Sequence, residues 1–210
     1  MNDPIRPHIG RSVGSSQRQM QQRALTTRHA ILAASAAIFD ANGYSASTIA
    51  DVITVNKISK GALFYHFPSK EAIAQHLVHG WSNAVVTAFS EASTTGESPA
   101  QKLRKAFLEL AHHVESDQNL RAGMKLTLEP AIEGAHQAYR QWVDTTSDVV
   151  DEGIAGGNIG DTAQGHRLAW NLCAGFTGAA NAVPVLREDV DLPARIDDLV
   201  TAHLSRAVER

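Results

Sequence analysis

The chain of 210 residues has a single cysteine, Cys173, so no disulfide framework can form within it. Cysteine usage of that kind suits a reducing compartment, and a cytoplasmic location is expected. Glycine and proline are sparse, 15 and 7 residues, which excludes a collagen-like chain; with 43% hydrophobic residues the chain is not disordered as a whole. Aromatic residues make up only 6%. The segment Met1 to Gly14 lacks the apolar stretch of a signal peptide. Long hydrophobic runs are also missing. The longest uncharged run, Leu168 to Leu186, reaches membrane-spanning length but carries Asn171, Thr177, Asn181 and Pro184 among small residues. It reads as a helix buried in protein, and no membrane association is expected.

An excess of positive charge is missing too: the formal net charge is −3. That value hides an asymmetry. Residues 1–70 hold eight Lys/Arg and three Asp/Glu, whereas residues 71–210 hold eleven and nineteen. A basic first third joined to an acidic remainder points to a polyanion, nucleic acid above all, as partner of the N-terminal part.

The apolar periodicity is helical from Thr27 onward, with no convincing alternating strand, so the fold class is all-α. The organisation expected is a disordered basic arm over 1–25 followed by two helical units, 26–70 and 71–210. The arm carries Arg6, Arg11, Arg18 and Arg23 and would reach an adjacent groove. Helices are expected from Thr27 to Asn42, from a Ser47 or Thr48 cap with Asp51 answering it, and from Lys60 to Tyr65 behind a Ser59 cap. A long fourth helix follows Ser69, and a fifth opens at Pro99. Others cover Leu120–Leu128, Ala135–Ala155, Thr162–Ala182 and Pro193–Val208.

The stretch Thr48 to Phe67, TIADVITVNKISKGALFYHF, has two short helices separated by a tight turn. That is the geometry of a helix-turn-helix, whose second helix enters the DNA major groove. Small residues in Lys60-Gly61-Ala62 let the backbone approach phosphate, and Phe64, Tyr65 and His66 offer an apolar edge with hydrogen-bonding tips. A generic helical hairpin with a buried aromatic cluster satisfies the same periodicity.

The residues Ile31-Leu32, Phe39, Gly43-Tyr44, Thr48, Ser59-Lys60-Gly61, Leu63, Tyr65-His66-Phe67 and Ser69-Lys70-Glu71 resemble the tetracycline-repressor-like (TetR) family of transcriptional regulators. The resemblance implies an all-α homodimer, with a helix-turn-helix DNA-binding domain over 26–70 that binds a palindromic double-stranded operator and a ligand-binding and dimerisation domain over 71–210. It implies phosphate contacts from Ser47, Thr48 and Lys70. Lys60, Gly61, Ala62 and Phe64, behind the Ser59 cap, would face the major groove, with Tyr65 and His66 at its backbone edge. Two positions depart from the family pattern. Asn56-Lys57 replaces the usual Ala-Gly of the turn, where Lys costs about 1 kcal/mol if the backbone is left-handed, and Ile53 replaces a small residue.

Asn119 to Leu126, Trp142 and the small-residue helix Leu172–Ala182 are similar to the γ-butyrolactone autoregulator receptors within that family. That likeness implies a ligand cavity lined by Trp81 and Trp142 and anchored by Thr177, suited to a small hydrophobic effector such as a lactone, butenolide or furan. A regulator of efflux or metabolism answering an unrelated hydrophobic molecule is the alternative. Ordinary core packing also accounts for the two tryptophans. Ala174/Gly178, Gly175/Ala179 and the line Ile196, Leu199, Val200, His203, Leu204 suit a dimer seam.

His76/His79 and His112-His113 come with no convincing Cys or carboxylate set, so no metal is expected. Gly156-Gly157-Asn158-Ile159-Gly160 follows a helix rather than a strand and reads as a helix stop, not a phosphate loop. No nucleophile–base pair supports catalysis, so neither enzymatic activity nor a cofactor is expected. An all-α enzyme would need such a constellation, and a purely protein-binding domain would not need the basic first third.

Overall fold

The computed structural model describes residues 13–93, 96–186 and 190–208. Among them nine α-helices form and no strand does: α1 Val13–Asn42, α2 Ile49–Asn56, α3 Lys60–His66, α4 Lys70–Ser93, α5 Pro99–Ser116, α6 Gln118–Leu126, α7 Ala135–Ala155, α8 Leu168–Leu186 and α9 Leu192–Val208.

Local chemistry fixes most of the starts. Thr48 Oγ1 accepts from the Asp51 backbone N–H at 3.2 Å while the Asp51 carboxylate accepts from the Thr48 N–H at 2.8 Å, a reciprocal capping box. Ser59 Oγ takes the Ala62 N–H at 3.1 Å, Ser69 Oγ takes that of Ala72 at 3.0 Å, and Ser98 and Gln101 form a second box ahead of Pro99. Helix α7 ends at Gly156, and Gly157 follows with φ 69°.

The largest differences from expectation are at the starts of α1 and α8; α8 also runs on to Leu186 rather than Ala182, and α6 is shifted two residues toward the N-terminus. Helix α1 starts at Val13 rather than Thr27, so residues 13–25 of the expected arm are helical; residues 1–12 lie outside the described residues. This stretch contains neither Pro nor an isolated Gly after Gly14, and its Gln, Arg and Ala residues are good helix formers. Helix α8 starts at Leu168 rather than Thr162. The Thr162 hydroxyl accepts from the Gly165 N–H at 3.1 Å within a turn, and the Gly160 N–H donates to the Ala207 carbonyl at 2.8 Å, anchoring this loop on α9.

The buried side chains form two clusters that share α4. One joins Ile31, Leu32, Phe39, Tyr44, Val52, Leu63, Phe67, Ile73, Leu77 and Val78 with Ala122, Leu126, Ile132, Ala135 and Ala138. The other begins at Trp81 and gathers the inner faces of α5, α7, α8 and α9. The border falls between Val78 and Trp81, within one turn of one helix. Ion pairs stitch the periphery: Lys102 to Glu152 at 2.7 Å, and Arg104 bidentate to Asp197 at 2.6 and 2.8 Å.

Candidate DNA-reading surface and aromatic ligand site

Helix α3 is held from behind. Leu63 is fully buried and Phe67 nearly so, both in the first cluster. Their burial turns the opposite face outward: Lys60 and Gly61 are exposed, Ala62 and His66 are partly so, and Phe64 and Tyr65 are 40% and 81% exposed. An exposed aromatic pair thus lies beside a lysine on the outer face of α3. Lys60 Nζ lies 5.9 Å from the Phe64 ring centre, and Tyr65 meets His66 edge-on at 5.1 Å. The far end of α3 is fixed by Arg28 of α1, whose Nη1 donates to the His66 carbonyl at 3.1 Å while its guanidinium sits 4.2 Å over the Phe67 ring.

The expected phosphate contacts divide. Thr48 is exposed at the start of α2 and committed to its cap on one side; Ser59, the cap of α3, is likewise exposed. Ser47 departs from expectation: its side chain is buried, with the hydroxyl donating to the Gly43 carbonyl at 2.6 Å. It shapes the α1–α2 turn, and its hydroxyl is turned inward rather than toward a phosphate. Lys70 Nζ donates to the carbonyls of Tyr44 at 2.9 Å and Ser47 at 3.0 Å and lies 4.0 Å over the Tyr44 ring. Two of its three donors are used in pinning that turn to α4, which leaves one for a phosphate.

Lys57, in the turn between α2 and α3, has φ 51° and ψ 38° and is the one non-glycine residue with positive φ among the described residues. The left-handed position that the motif demands is present, and a lysine occupies it. Asn56 secures the helix end by donating Nδ2 to the Val52 carbonyl at 2.9 Å.

In the second cluster the structure brings together Trp81, Trp142 and the helix turn bearing Thr177. The two indoles meet edge-to-face at 5.2 Å, and Phe176 lies 6.1 Å from Trp81 and 5.4 Å from Trp142. Phe107 and Tyr139 complete the group at 5.9 and 5.7 Å from Trp142. Both indole Nε1 atoms are buried and have no hydrogen-bond partner. Leaving a buried donor unpaired costs about 1–3 kcal/mol, and here two such donors lie in contacting rings. Thr177 Oγ1 donates to the Cys173 carbonyl at 2.9 Å, and Thr146 Oγ1 donates to that of Trp142 at 2.9 Å. Burial raises the Tyr139 phenol above its ordinary value, against a hydrogen bond with Thr177 that lowers it. Burial likewise pushes the Cys173 thiol up to about 12.

Tyr139, Phe107 and Phe176 had not been singled out from the sequence. Tyr139, Trp142 and Thr146 recur at three- and four-residue spacing on α7, and Phe176 adjoins Thr177, so the helical period carried that information. Among the described residues no group of three or more His, Cys, Asp or Glu is arranged to hold a metal, and no helix is long and apolar enough to cross a membrane.

Fold and site together define an all-α helix-turn-helix protein with a second buried helical cluster. Residues 31–77 match the family described as bacterial regulatory proteins, tetR family. The A-factor receptor protein of Streptomyces griseus is 32% identical over 158 residues, 75% of this chain and 55% of that protein. The chain therefore spans little more than half the length of that relative. The crystal structure of full-length native TylP, a TetR regulator from Streptomyces fradiae, is 30% identical with a TM-score of 0.62, covering 89% of this chain and 81% of that one. A γ-butyrolactone receptor described as ArpA-like shares the fold at a TM-score of 0.69 and 22% identity, over 89% of this chain and all of that one. The chain belongs to the TetR family of transcriptional regulators.

Proposed function

We propose that the protein is a transcriptional repressor that binds a palindromic operator as a homodimer and is released by a small γ-butyrolactone, butenolide or furan. The observation that carries the ligand class is the pair of buried, unpartnered indole N–H groups of Trp81 and Trp142 within an aromatic cluster. A lactone carbonyl supplies the missing acceptor, and its alkyl arm suits the Phe107 and Phe176 rings. A hydrophobic molecule without an acceptor would leave both donors unpaired. The A-factor receptor protein among the relatives supports the same class.

The DNA side is supported by the exposed face of α3, with Lys60, Gly61, Ala62 and Phe64 toward the major groove and Tyr65 and His66 at its edge. Thr48, Ser59 and the free donor of Lys70 are the phosphate contacts of this reading. The homodimer is supported by α8. Gly175 is packed against Leu199 within the chain, where an added Cβ would come within 2.8 Å. Gly178, in contrast, has nothing within 4 Å, and on the same face Trp170 and Val185 are 63% and 75% exposed. A two-fold partner covering that stripe places two recognition helices about one DNA turn apart.

Release is a population shift. Ligand at Trp81 favours a disposition of α4 that the operator does not, and a hundredfold preference corresponds to about 2.7 kcal/mol of coupling. Trp142→Phe keeps an aromatic ring and removes one donor. Gel shifts with a racemic 2-acyl-γ-butyrolactone are expected to need about three- to tenfold more ligand for release, with operator affinity in its absence unchanged. Lys60→Ala is expected to weaken operator binding and reduce its salt dependence. Equal ligand response of Trp142→Phe and wild type refutes the lactone reading.

A further inference from the structure

A groove of about 380 Å³ opens between α1, α4 and the start of α6, away from the aromatic cluster. Its walls are Leu25, Leu32, Leu77 and Leu120, with Gly80 lining the α4 side. Its polar residues are Arg28, His29, His76 and Asn119, and none of the lining residues is acidic. Arg28 and His76 approach each other at 3.4 Å. Leu77 belongs to the N-terminal cluster, so the groove is lined from that side of the border and not from the ring cluster that begins at Trp81.

We infer that this groove is a second ligand site, taking a small amphiphilic monoanion: a carboxylate on a short alkyl chain. Arg28 receives the carboxylate through its forked N–H groups, the imidazoles of His29 and His76 add donors, and the leucines take the chain. The volume falls within the usual range of small-molecule pockets, roughly 300–1,000 Å³. His76 titrates lower than an ordinary histidine because of burial and the charges of Arg28, His79 and His29. An anion relieves that uncompensated positive field.

The site has a direct route to DNA. Arg28 is the residue that holds the His66 carbonyl at the end of the recognition helix and stacks on Phe67. A carboxylate competes for the same guanidinium. Occupancy therefore acts on α3 without passing through the Trp81–Trp142 cluster.

Sodium decanoate titrated into the full chain, followed by calorimetry and by NMR of the histidine rings, tests this. The His29 and His76 ring signals are expected to shift. Affinity should fall at least tenfold in Arg28→Gln and in Gly80→Leu, which adds bulk on the α4 wall of the groove without replacing Arg28. Decanol should bind at least tenfold more weakly, and Trp142→Phe should keep the wild-type decanoate affinity. Should Arg28→Gln fail to fold, Gly80→Leu and decanol decide. Undisturbed histidine signals, equal binding of decanol, or loss of binding in Trp142→Phe with Gly80→Leu unaffected would each overturn the assignment.

Discussion

Gly123 lies where α6 crosses α4, and its replacement by alanine gives two opposed terms whose difference is measurable. An alanine Cβ at Gly123 would collide with the Leu77 carbonyl oxygen, stand 2.9 Å from the Leu77 carbonyl carbon and 3.2 Å from the Trp81 Cβ. Carbon atoms pack at about 3.5–4.0 Å, so α6 must retreat from α4 by at least roughly 0.6 Å. The obstacle is backbone in the middle of a 24-residue helix, which cannot rotate aside as a side chain does. Overpacking of this kind costs typically 1–3 kcal/mol, and the higher helix propensity of alanine returns about 0.8–1.0 kcal/mol. A net loss of up to about 2 kcal/mol is expected. Gly80 is the control, since it lies in α4 and an added Cβ there meets only Leu120 Cδ2, at 3.9 Å. Gly80→Ala keeps the propensity gain without the collision and should stabilise by up to about 1 kcal/mol. Urea unfolding of both variants, monitored by circular dichroism, gives the two signs directly. If Gly123→Ala is as stable as Gly80→Ala, the crossing is not tight and the argument fails.

Three further perturbations follow from the same geometry. At Lys57 the left-handed backbone costs about 1 kcal/mol for a non-glycine residue, partly offset by the extra unfolded-state freedom of glycine, about 0.4–1 kcal/mol. The melting temperatures should rank Lys57→Gly at or above wild type, and both above Lys57→Val; a stable valine variant would show that the turn does not need this conformation. Burial raises the Asp40 carboxyl, but hydrogen bonds from Lys125 at 2.5 Å and Arg121 at 3.1 Å outweigh it, and the net direction is below the ordinary 3.8. Its contribution is thus present above that value and lost as pH falls through the lower folded one, so Asp40→Asn should flatten the acid limb of a stability-against-pH curve, and an unchanged limb contradicts the pairing. Cys173, buried with its thiol at about 12, should resist iodoacetamide at pH 8 in the folded chain and react promptly in urea; equal rates would place it at the surface.

Much of the fold was legible because its signals are local. Thr48 with Asp51, Ser59, Ser69 and Pro99 fixed four helix starts by chemistry that lies within four residues of each, and Gly156 marked an end. The errors fell where the deciding partner is distant or weak. The turn over 162–167 is held by a glycine backbone contact and by the Ala207 carbonyl on α9, which no local pattern announces. Residues 13–25 read as an arm because they are polar, yet polarity alone does not forbid helix once α1 is nucleated further along. At the site, Trp81 and Trp142 were legible as a pair, whereas the commitment of Ser47 to the Gly43 carbonyl was not: a serine beside a helix start reads equally as a phosphate contact and as a turn bond. The positive field around Arg28 was invisible for a further reason, since it depends on α1, α4 and α6 meeting.

The link between the two halves follows from where α6 is tied. Its Gly123 touches Leu77 in one buried cluster and Trp81 in the other. Its Arg121 and Lys125 both reach Asp40, near the end of α1. A helix fastened to α4 by backbone contact and to α1 by two ion pairs cannot move alone. A shift of Trp81 that displaces α6 must therefore break the Asp40 pairs or carry α1 with it, and α1 holds the recognition helix through Arg28. Partly buried pairs of this sort are strongly destabilising when one partner is removed but contribute little net stability when intact, which makes them suited to fixing a geometry rather than to strengthening the fold. Loss of Asp40, which leaves both cations unpaired, should then lower stability and also weaken the ligand response of operator binding in the molecules that remain folded. A variant that melts lower yet keeps its full ligand response would break the chain of reasoning at that residue.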